Sequence, residues 1–458
     1  MGMRSSDRPN VLFIMSDQHR HDFVGCAGAE FLRTPNLDRI AGRGVRFTQC
    51  TTNCPVCAPS RIGLAAGMQP WRLGSLDNGS YLPRSAVTYY QRLRDHEYRV
   101  GCVGKLDLAK PDRYNGRYGD RPCVYGWGFT HPVECEGKMH AGSSPTPIGP
   151  YTHYLQEHGL LEAFHEDYKA RAAKGWIVDA SHDSVLPCEH FEDAYIGRRA
   201  AEWIENVPDD FPWHYFVSFV GPHDPFDPPT EYGDRYRDAA MPPAIQDSME
   251  GKPAWIKPRV RTTDPDVIAE TRRQYCGATE LIDDHVGLIL AALEKRGMMD
   301  NTYIVYSSDH GEMLGDHGLY TKSVPYEASI RVPLLLAGPG IEGGRVSDAL
   351  IELIDVNPTL CELAGLPAQE NIDAQSFAPI LHGASTSHRT EAFSRIRNFT
   401  LVRTERHKFV QHENDAAELY DLESDPDELH NIAQEDRETK RALRERLVAR
   451  LLDAKWRR

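Results

Sequence analysis

Four short, mainly apolar runs constrain the fold of this chain more than any other feature of its sequence. They cover residues 10–15, 98–104, 213–220 and 302–306. Runs of this length and composition are typical of strands that are buried on both faces of a sheet. Segments with helical spacing separate them, so we predict an α/β fold in which a large, mixed and mostly parallel sheet is flanked by helices.

The polar residues that follow these strands are candidates for a functional site. Asp17, Lys105 and His223 follow the first three strands, and Asp309 and His310 follow the fourth. Ligands of open α/β sheets bind outside the carboxyl ends of the strands, so we expect these side chains to converge there. A neighbouring carboxylate and imidazole are suitable ligands for a divalent cation.

The segment around Cys57 predicts a loop that enters a helix. Pro59 suits a first helical turn because it has no N–H group, and Gly67 can end the helix. Cys57 would then lie at the helix N-terminus, where free N–H groups favour a tetrahedral anion, and Arg61 could add a bidentate contact. Cys54 and Cys57 also have the spacing of a redox pair or half a zinc site, but no second Cys-x-x-Cys follows.

The composition excludes several classes of partner. With a net charge of −15 over 458 residues, the chain lacks the basic surface of a general nucleic-acid-binding protein. It contains no apolar run near the roughly 20 residues that a membrane-spanning helix needs. The ten cysteines lack framework spacing, and residues 1–7 lead into the first strand without a typical cleavage site. We therefore expect a cytoplasmic protein that binds neither nucleic acid nor membranes.

We expect two domains. Residues 1–383 carry the long α/β pattern, whereas later segments such as 400–404 and 407–410 alternate like antiparallel strands with one solvated face. We predict that residues 384–458 form a smaller α+β domain that ends in a charged helix. Residues 111–187 lack a sustained period, and we predict a loop-rich region there that selects the substrate.

The pentapeptide Cys57-Ala58-Pro59-Ser60-Arg61 resembles the signature of the type I, formylglycine-dependent sulfatases of the alkaline phosphatase superfamily. The resemblance covers nearly the whole chain, because further family motifs follow in order. They are Gly104-Lys105, Pro222-His223, Ser308-Asp309-His310-Gly311, Gly315-Asp316-His317-Gly318 and Leu419-Tyr420-Asp421-Leu422. The pairs Asp17-Gln18 and Asp309-His310 are similar to those of the choline-sulfatase and phosphonate-monoester-hydrolase branch. The resemblance implies an alkaline-phosphatase-like fold.

The resemblance also implies roles for individual residues. A formylglycine-generating enzyme would convert Cys57 to formylglycine, whose hydrate would be the nucleophile. The implied ligands of one divalent cation, with Ca²⁺ favoured and Mn²⁺ or Mg²⁺ as alternatives, are Asp17, Gln18, Asp309 and His310. The implied catalytic residues are Cys57, Arg61, Lys105, His223 and Lys322. The implied substrate-binding residues are Ser60, Asn78 and Asp107.

The function implied by this resemblance is hydrolysis of an organic sulfate monoester to an alcohol and inorganic sulfate. The partner would be a small sulfated substrate, either a carbohydrate or an alkyl or aryl sulfate. Two alternatives stay open: a phosphonate monoester or phosphodiester hydrolase on the same fold, and a non-catalytic binder of sulfated ligands if Cys57 is unmodified. A homo-oligomer also stays open.

Asp107 departs from the family pattern, since sulfatases commonly have a histidine two residues after the lysine. One interpretation is that Asp107 forms a salt bridge with a neighbouring cation outside the site. The other is that it takes the place of the histidine, where it could orient Lys105 or bind a hydroxyl or cationic group of the alcohol.

Overall fold

An eight-stranded sheet forms the centre of the protein, whose computed structural model describes residues 8–456. Its strands are β1 (Asn10–Ser16), β2 (Gly44–Thr51), β3 (Arg99–Lys105), β4 (His131–Cys135), β5 (Trp213–Ser218), β6 (Thr302–Ser308), β7 (Leu334–Ala337) and β8 (Arg345–Glu352). Their order across the sheet is β4-β3-β5-β1-β6-β7-β2-β8. Strand β7 runs antiparallel to its neighbours β6 and β2, and the other pairs are parallel. The mixed, mostly parallel sheet confirms the predicted fold class.

The α-helices connect these strands and follow them in the chain. They are α1 (Pro35–Gly42), α2 (Cys57–Ala66), α3 (Tyr89–Asp95), α4 (Pro122–Gly126), α5 (Lys138–Gly142), α6 (Pro150–Glu157), α7 (Leu161–Ala173), α8 (Glu192–Asn206), α9 (Thr230–Tyr236), α10 (Pro265–Lys295), α11 (Glu327–Ile330), α12 (Val356–Leu363), α13 (Ala378–Leu381) and α14 (Arg437–Trp456). Within residues 8–456, none of the helices combines the length and the apolar composition needed to cross a bilayer.

Helices cover both faces of the large sheet. Val11 of β1 packs in one core with Ile62 of α2, whereas the next residue, Leu12, packs in another core with Ile196 of α8 and Val286 of α10. Successive side chains of a strand point to opposite faces, so a strand between two cores is apolar at successive positions. This packing explains the continuous apolar runs in the sequence.

Residues 111–187 contain more regular structure than the sequence predicts. Strand β4 lies in this region and pairs in parallel with β3 at the edge of the sheet, and helices α4 to α7 surround it. The prediction of loops is therefore wrong for these segments. Pro132 and Glu134 interrupt the apolar pattern of β4, which an edge strand tolerates because one side of its backbone has no partner strand. The sequence analysis also does not predict strand β8, which lies at the opposite edge of the sheet.

A smaller antiparallel sheet lies near the end of the chain, as predicted. Its strands are β9 (Ala392–Arg395), β10 (Phe399–Arg403), β11 (His407–His412) and β12 (Glu418–Asp421). One face packs on α14, with Val402 and Phe409 against Leu443, and Leu401 on the other face packs near Cys54. The expectation of one solvated face is wrong, because α14 and the loop before α2 cover the two sides.

Gly104 allows β3 to lie close to β5 immediately before Lys105. Its φ is 100°, in the left-handed region, and a Cβ atom at this position would lie 1.9 Å from the carbonyl oxygen of Ser218. Gly28 has almost the same φ, 101°, but no atom lies within 4 Å of the position of its Cβ. An alanine at position 28 would therefore have only the unfavourable backbone angle, whereas an alanine at position 104 would have the same angle and a steric clash.

We expect Gly104→Ala to destabilise the protein more than Gly28→Ala. The backbone angle alone costs about 1 kcal/mol in each variant. The clash with Ser218 should add roughly 2 kcal/mol or more for Gly104→Ala, because backbone atoms of two paired strands must separate. Urea unfolding of both variants measures the difference, and equal losses would show that β3 and β5 can move apart freely.

Candidate active site

Helix α2 places Cys57 at its first residue. Val56 before it is extended, and Gly67 ends the helix in the left-handed conformation with a φ of 65°, as predicted. The side-chain oxygen of Asn78 accepts a hydrogen bond of 3.1 Å from the backbone N–H of Ala58. The N-terminus of α2 therefore faces the site with Cys57, and Asn78 occupies one of its free N–H groups.

Four side chains form a compact cluster around Cys57, which we call the site cluster. They are Asp17, Cys57, Asp309 and His310. Their ligand atoms all lie within 4.8 Å of one another, and all four residues are fully buried. Cys57 Sγ lies 3.2 Å from Nε2 of His310 and 3.7 Å from Oδ1 of Asp17. The structure thus brings together residues from the carboxyl ends of β1 and β6 and from the start of α2.

The chemistry of the site cluster fits a divalent cation. Two carboxylates and one imidazole supply oxygen and nitrogen ligands of the kind that such ions bind. Nδ1 of His310 lies 3.0 Å from the carbonyl oxygen of Gly311, so this hydrogen bond holds Nε2 towards the cluster. Buried carboxylates so close together need positive charge between them.

Arg61 supplies part of that positive charge. Its Nε donates to Oδ2 of Asp309 at 2.8 Å, and Nη2 donates to Oδ2 of Asp17 at 3.4 Å. Nη1 donates to the carbonyl oxygen of Lys105 and to the hydroxyl of Ser218, both at 2.7 Å. The sequence predicts a bidentate contact from Arg61 to the bound anion, but here the guanidinium holds the two carboxylates instead.

Ser60 has a similar supporting position. Its hydroxyl donates to the carbonyl oxygen of Asp309 at 2.7 Å and contacts the hydroxyl of Thr52 at 3.0 Å. It therefore fixes α2 against the end of β6. Its predicted contact with substrate stays a prediction.

Asp107 lies between two lysines beside the site cluster. Its Oδ2 is 3.2 Å from Nζ of Lys105 and 2.6 Å from Nζ of Lys110, and Lys105 also forms an ion pair with Asp17. Burial raises the pKa of Asp107, but the two lysines outweigh burial and lower the pKa below its ordinary value. The ionised carboxylate therefore pairs with both lysines, and its role towards the substrate stays a prediction.

Lys322, His223 and Gln18 form a second group of contacts. Nζ of Lys322 donates to the side-chain oxygen of Gln18 and to Nε2 of His223, the latter at 2.6 Å. The amide nitrogen of Gln18 donates to Asp224 at 3.0 Å and to Glu312 at 2.5 Å. The oxygen of Gln18, predicted as a metal ligand, is therefore directed at Lys322, and its role towards a metal stays a prediction.

A cavity of about 400 Å³ opens beside these lysines. Its lining includes the predicted residues Lys105, His223 and Lys322, and also Asn78 and Asp107. The remaining lining residues are Lys110, Gly137, Lys138, Met139, His140, Asp224 and Thr321. Cys57 is connected to this cavity through Asp17, which contacts both Cys57 and the lining residue Lys105.

The lysines around this cavity create a positive field at Cys57. Burial alone raises the pKa of the Cys57 thiol, but Lys105, Lys110 and Lys322 outweigh burial and hold the pKa well below its ordinary value. A field that stabilises a thiolate at this position also stabilises other anions next to it. The arrangement can therefore bind a tetrahedral oxyanion, hold a divalent cation and supply a protonated group.

Several residues of the site have no clear signal in the sequence. Nζ of Lys138 donates to the carbonyl oxygens of His223 at 3.0 Å and Pro225 at 2.7 Å, and forms an ion pair of 2.5 Å with Asp227. Lys138 lies in the region without sustained period, so no pattern points to it. Glu312 directly follows the motif at residues 308–311, and its position next to that motif is a signal that could have been used.

Family models and known proteins match most of this chain. The family model described as Sulfatase matches residues 9–366, and the model for the C-terminal part of N-sulphoglucosamine sulphohydrolase matches residues 315–456. A choline-sulfatase of Rhizobium meliloti is 30% identical over 94% of this chain and 84% of its own length. An arylsulfatase of Clostridium perfringens is 29% identical over 93% of this chain and 90% of its own length.

The fold is also similar to that of solved structures. The phosphonate monoester hydrolase of Agrobacterium radiobacter superposes with a TM-score of 0.81 at 24% identity, covering 98% of this chain and 96% of its own. At this identity the likeness concerns the fold. It supports the alkaline-phosphatase-like arrangement of a mixed sheet between two layers of helices.

We expect Lys138→Met to destabilise the protein by about 3–5 kcal/mol, because the change leaves the buried Asp227 carboxylate without its ion-pair partner. The double variant Lys138→Met with Asp227→Asn should lose less stability than the sum of the two single variants. Urea unfolding of the three variants gives this double-mutant cycle. If the losses of unfolding free energy were additive, Lys138 and Asp227 would not stabilise each other.

Proposed function

Because the chain belongs to the sulfatase family, and is therefore a sulfuric ester hydrolase, we propose that it hydrolyses an organic sulfate monoester by means of a formylglycine made from Cys57. The observation that carries this proposal is the position of Cys57. It starts a buried helix, contacts His310 and Asp17, and lies beside a cavity lined by Lys105 and Lys322. A formylglycine at this position would supply one hydroxyl of its hydrate for attack on sulfur and another for release of sulfate.

We further propose one divalent cation in the site cluster. Asp17, Asp309 and His310 would hold it together with the residue at position 57. The imidazole nitrogen of this set favours Mn²⁺, whereas the carboxylate oxygens also suit the Ca²⁺ that the resemblance favours. When bound, such an ion would lower the pKa of a neighbouring hydroxyl and polarise the sulfuryl oxygens.

We assign the other groups of the cavity to binding of the sulfate and to protonation of the leaving oxygen. Lys105 and Lys322 bind the sulfuryl oxygens, on which negative charge increases in the transition state. We assign protonation of the leaving oxygen to His223: when the sulfuryl group binds Lys322, Nε2 is free to take up a proton from solvent, and the resulting imidazolium donates it to that oxygen. Nδ1 of His223 lies 2.6 Å from the carbonyl oxygen of Asp224 and donates to it, and Lys138 holds two carbonyl groups of the same loop. These contacts fix the imidazole so that Nε2 faces Lys322 and the cavity.

The second candidate function is hydrolysis of a phosphonate monoester. Asp107, with its two ion pairs to Lys105 and Lys110, is the observation that favours it, because it replaces the histidine that sulfatases commonly have near this lysine. Lys105 itself favours the sulfate ester. Measuring kcat/KM for one aryl sulfate and one phosphonate monoester under the same conditions separates the two, and we expect the sulfate to be preferred.

Cys57→Ala should lose essentially all sulfate release, because alanine cannot be converted to an aldehyde. Wild-type protein produced with a formylglycine-generating enzyme should carry an aldehyde or its hydrate at position 57, as measured by peptide mass spectrometry. Cys54→Ala is the matched control, since Cys54 is equally buried and three residues away but packs against the C-terminal sheet. This control should stay active.

Full activity of Cys57→Ala would overturn the formylglycine mechanism and favour an unmodified metal hydrolase. Unmodified Cys57 in protein that binds sulfated ligands without turnover would instead favour the non-catalytic alternative. The two outcomes differ in both the mass of the peptide and the release of sulfate.

His223→Ala should affect esters according to their leaving groups. An alkyl or sugar sulfate has a poor leaving group and needs a proton, so we expect its kcat/KM to fall by about 10²–10⁴-fold. An activated aryl sulfate, such as 4-nitrophenyl sulfate, should lose far less because its phenolate leaves without a proton. Sulfate release from both esters provides the comparison. Equal losses would exclude His223 as the acid that protonates the leaving oxygen.

A further inference from the structure

We propose that Lys110 forms a second anion-binding subsite in the cavity, so that the natural substrate carries a second negative group on the alcohol half of the ester. A carboxylate or a further sulfate would fit this site. The inference rests on the proposed sulfatase function, because Lys110 is assigned to the part of the substrate that remains after sulfate release.

The four lysines that line the cavity have different partners. Lys105 contacts Asp17 of the site cluster and Lys322 contacts Gln18 and His223, so both are assigned to the ester sulfate. The ammonium group of Lys138 is occupied by two carbonyl oxygens and by Asp227. Lys110 is the remaining cation. Its charge also acts on Cys57, but its Nζ contacts Asp107 and no residue of the site cluster.

Lys110 has hydrogen-bonding capacity to spare. Its Nζ donates to Oδ2 of Asp107 at 2.6 Å, and it has no other hydrogen-bond acceptor among residues 8–456. An ammonium group has three donors, so two are left for solvent or a ligand. The side chain of Lys110 is 19% exposed, compared with 5% for Lys105, so it lies nearer the mouth of the cavity.

The single carboxylate beside Lys110 is not reserved for it. Asp107 pairs with both Lys105 and Lys110, and Lys105 also pairs with Asp17. Asp107 is also only 7% exposed and is covered by its partners. The interpretation in which Asp107 binds a cationic group of the alcohol is therefore disfavoured, and an anionic group on the alcohol is favoured.

The other lining residues agree with an anionic, polar alcohol. No Phe, Tyr or Trp side chain of residues 8–456 lines this cavity, whereas sites for quaternary ammonium groups typically present the faces of such rings. The half-buried ring of His140 also lines it and can exchange a hydrogen bond with a substrate hydroxyl. The volume of about 400 Å³ is within the usual range of small-ligand pockets.

Matched aryl sulfates test the subsite with the formylglycine-containing enzyme. The 3- and 4-carboxyphenyl sulfates carry a second negative charge, and the 3- and 4-carbamoylphenyl sulfates have the same shape without it. In the wild-type protein, kcat/KM should favour the carboxylate in at least one of the two pairs by roughly tenfold to a hundredfold, the range of a hydrogen bond to a charged group.

Lys110→Gln should abolish that preference, and Lys110→Arg should keep most of it. Lys174→Gln removes the same charge from an exposed position on another part of the chain and should leave the preference unchanged. A ratio of carboxylate to carboxamide that is the same in wild type and Lys110→Gln for both pairs would overturn the subsite but leave the sulfatase function standing. Absence of sulfate release from all four esters would overturn both proposals.

Discussion

The buried contacts of Arg61 are the interaction on which the rest of the site depends. Asp17 and Asp309 lie within a few ångströms of each other at the ends of β1 and β6, in surroundings without water contact. Their carboxylates would repel each other there, and the guanidinium of Arg61 contacts both. Because the same guanidinium donates to Lys105 and Ser218, it joins α2 to four strands of the sheet. The position of Cys57 is therefore set by the charge balance of the site.

The C-terminal sheet supports the same site from the other side. Asn53 accepts a backbone hydrogen bond from Arg395 and donates to the carbonyl oxygen of Phe393, so β9 is bonded to the loop that leads to Cys57. Glu327 forms a buried network with this sheet, in which it contacts Arg403 of β10 and Lys408 of β11. Burial raises the pKa of Glu327, but these two cations outweigh burial and hold it well below its ordinary value. The small sheet therefore contributes to the active site without lining its cavity.

The cavity combines two kinds of positive charge. Lys105 and Lys322 are close to the site cluster and have partners that fix their direction, namely Asp17, Asp107, Gln18 and His223. Lys110 is more exposed and retains free donors. A site with a fixed inner pair and a more exposed outer cation is suited to recognise the ester sulfate and the alcohol by different groups.

The sequence by itself determined the central strands, the helix that starts at Cys57 and the residues that end β1, β3 and β6, because apolar period and turn residues are local signals. It did not determine β4 and β8, whose edge positions permit a weak pattern. The partners of Arg61, Asp107 and Lys138 were decided only by the tertiary structure. Arg61 and Lys138 contact residues from segments that are distant in the chain. Asp107 contacts its neighbour Lys105, whose direction depends on contacts with such segments. A sequence shows which charges are present, but only the folded chain decides which of them are buried together.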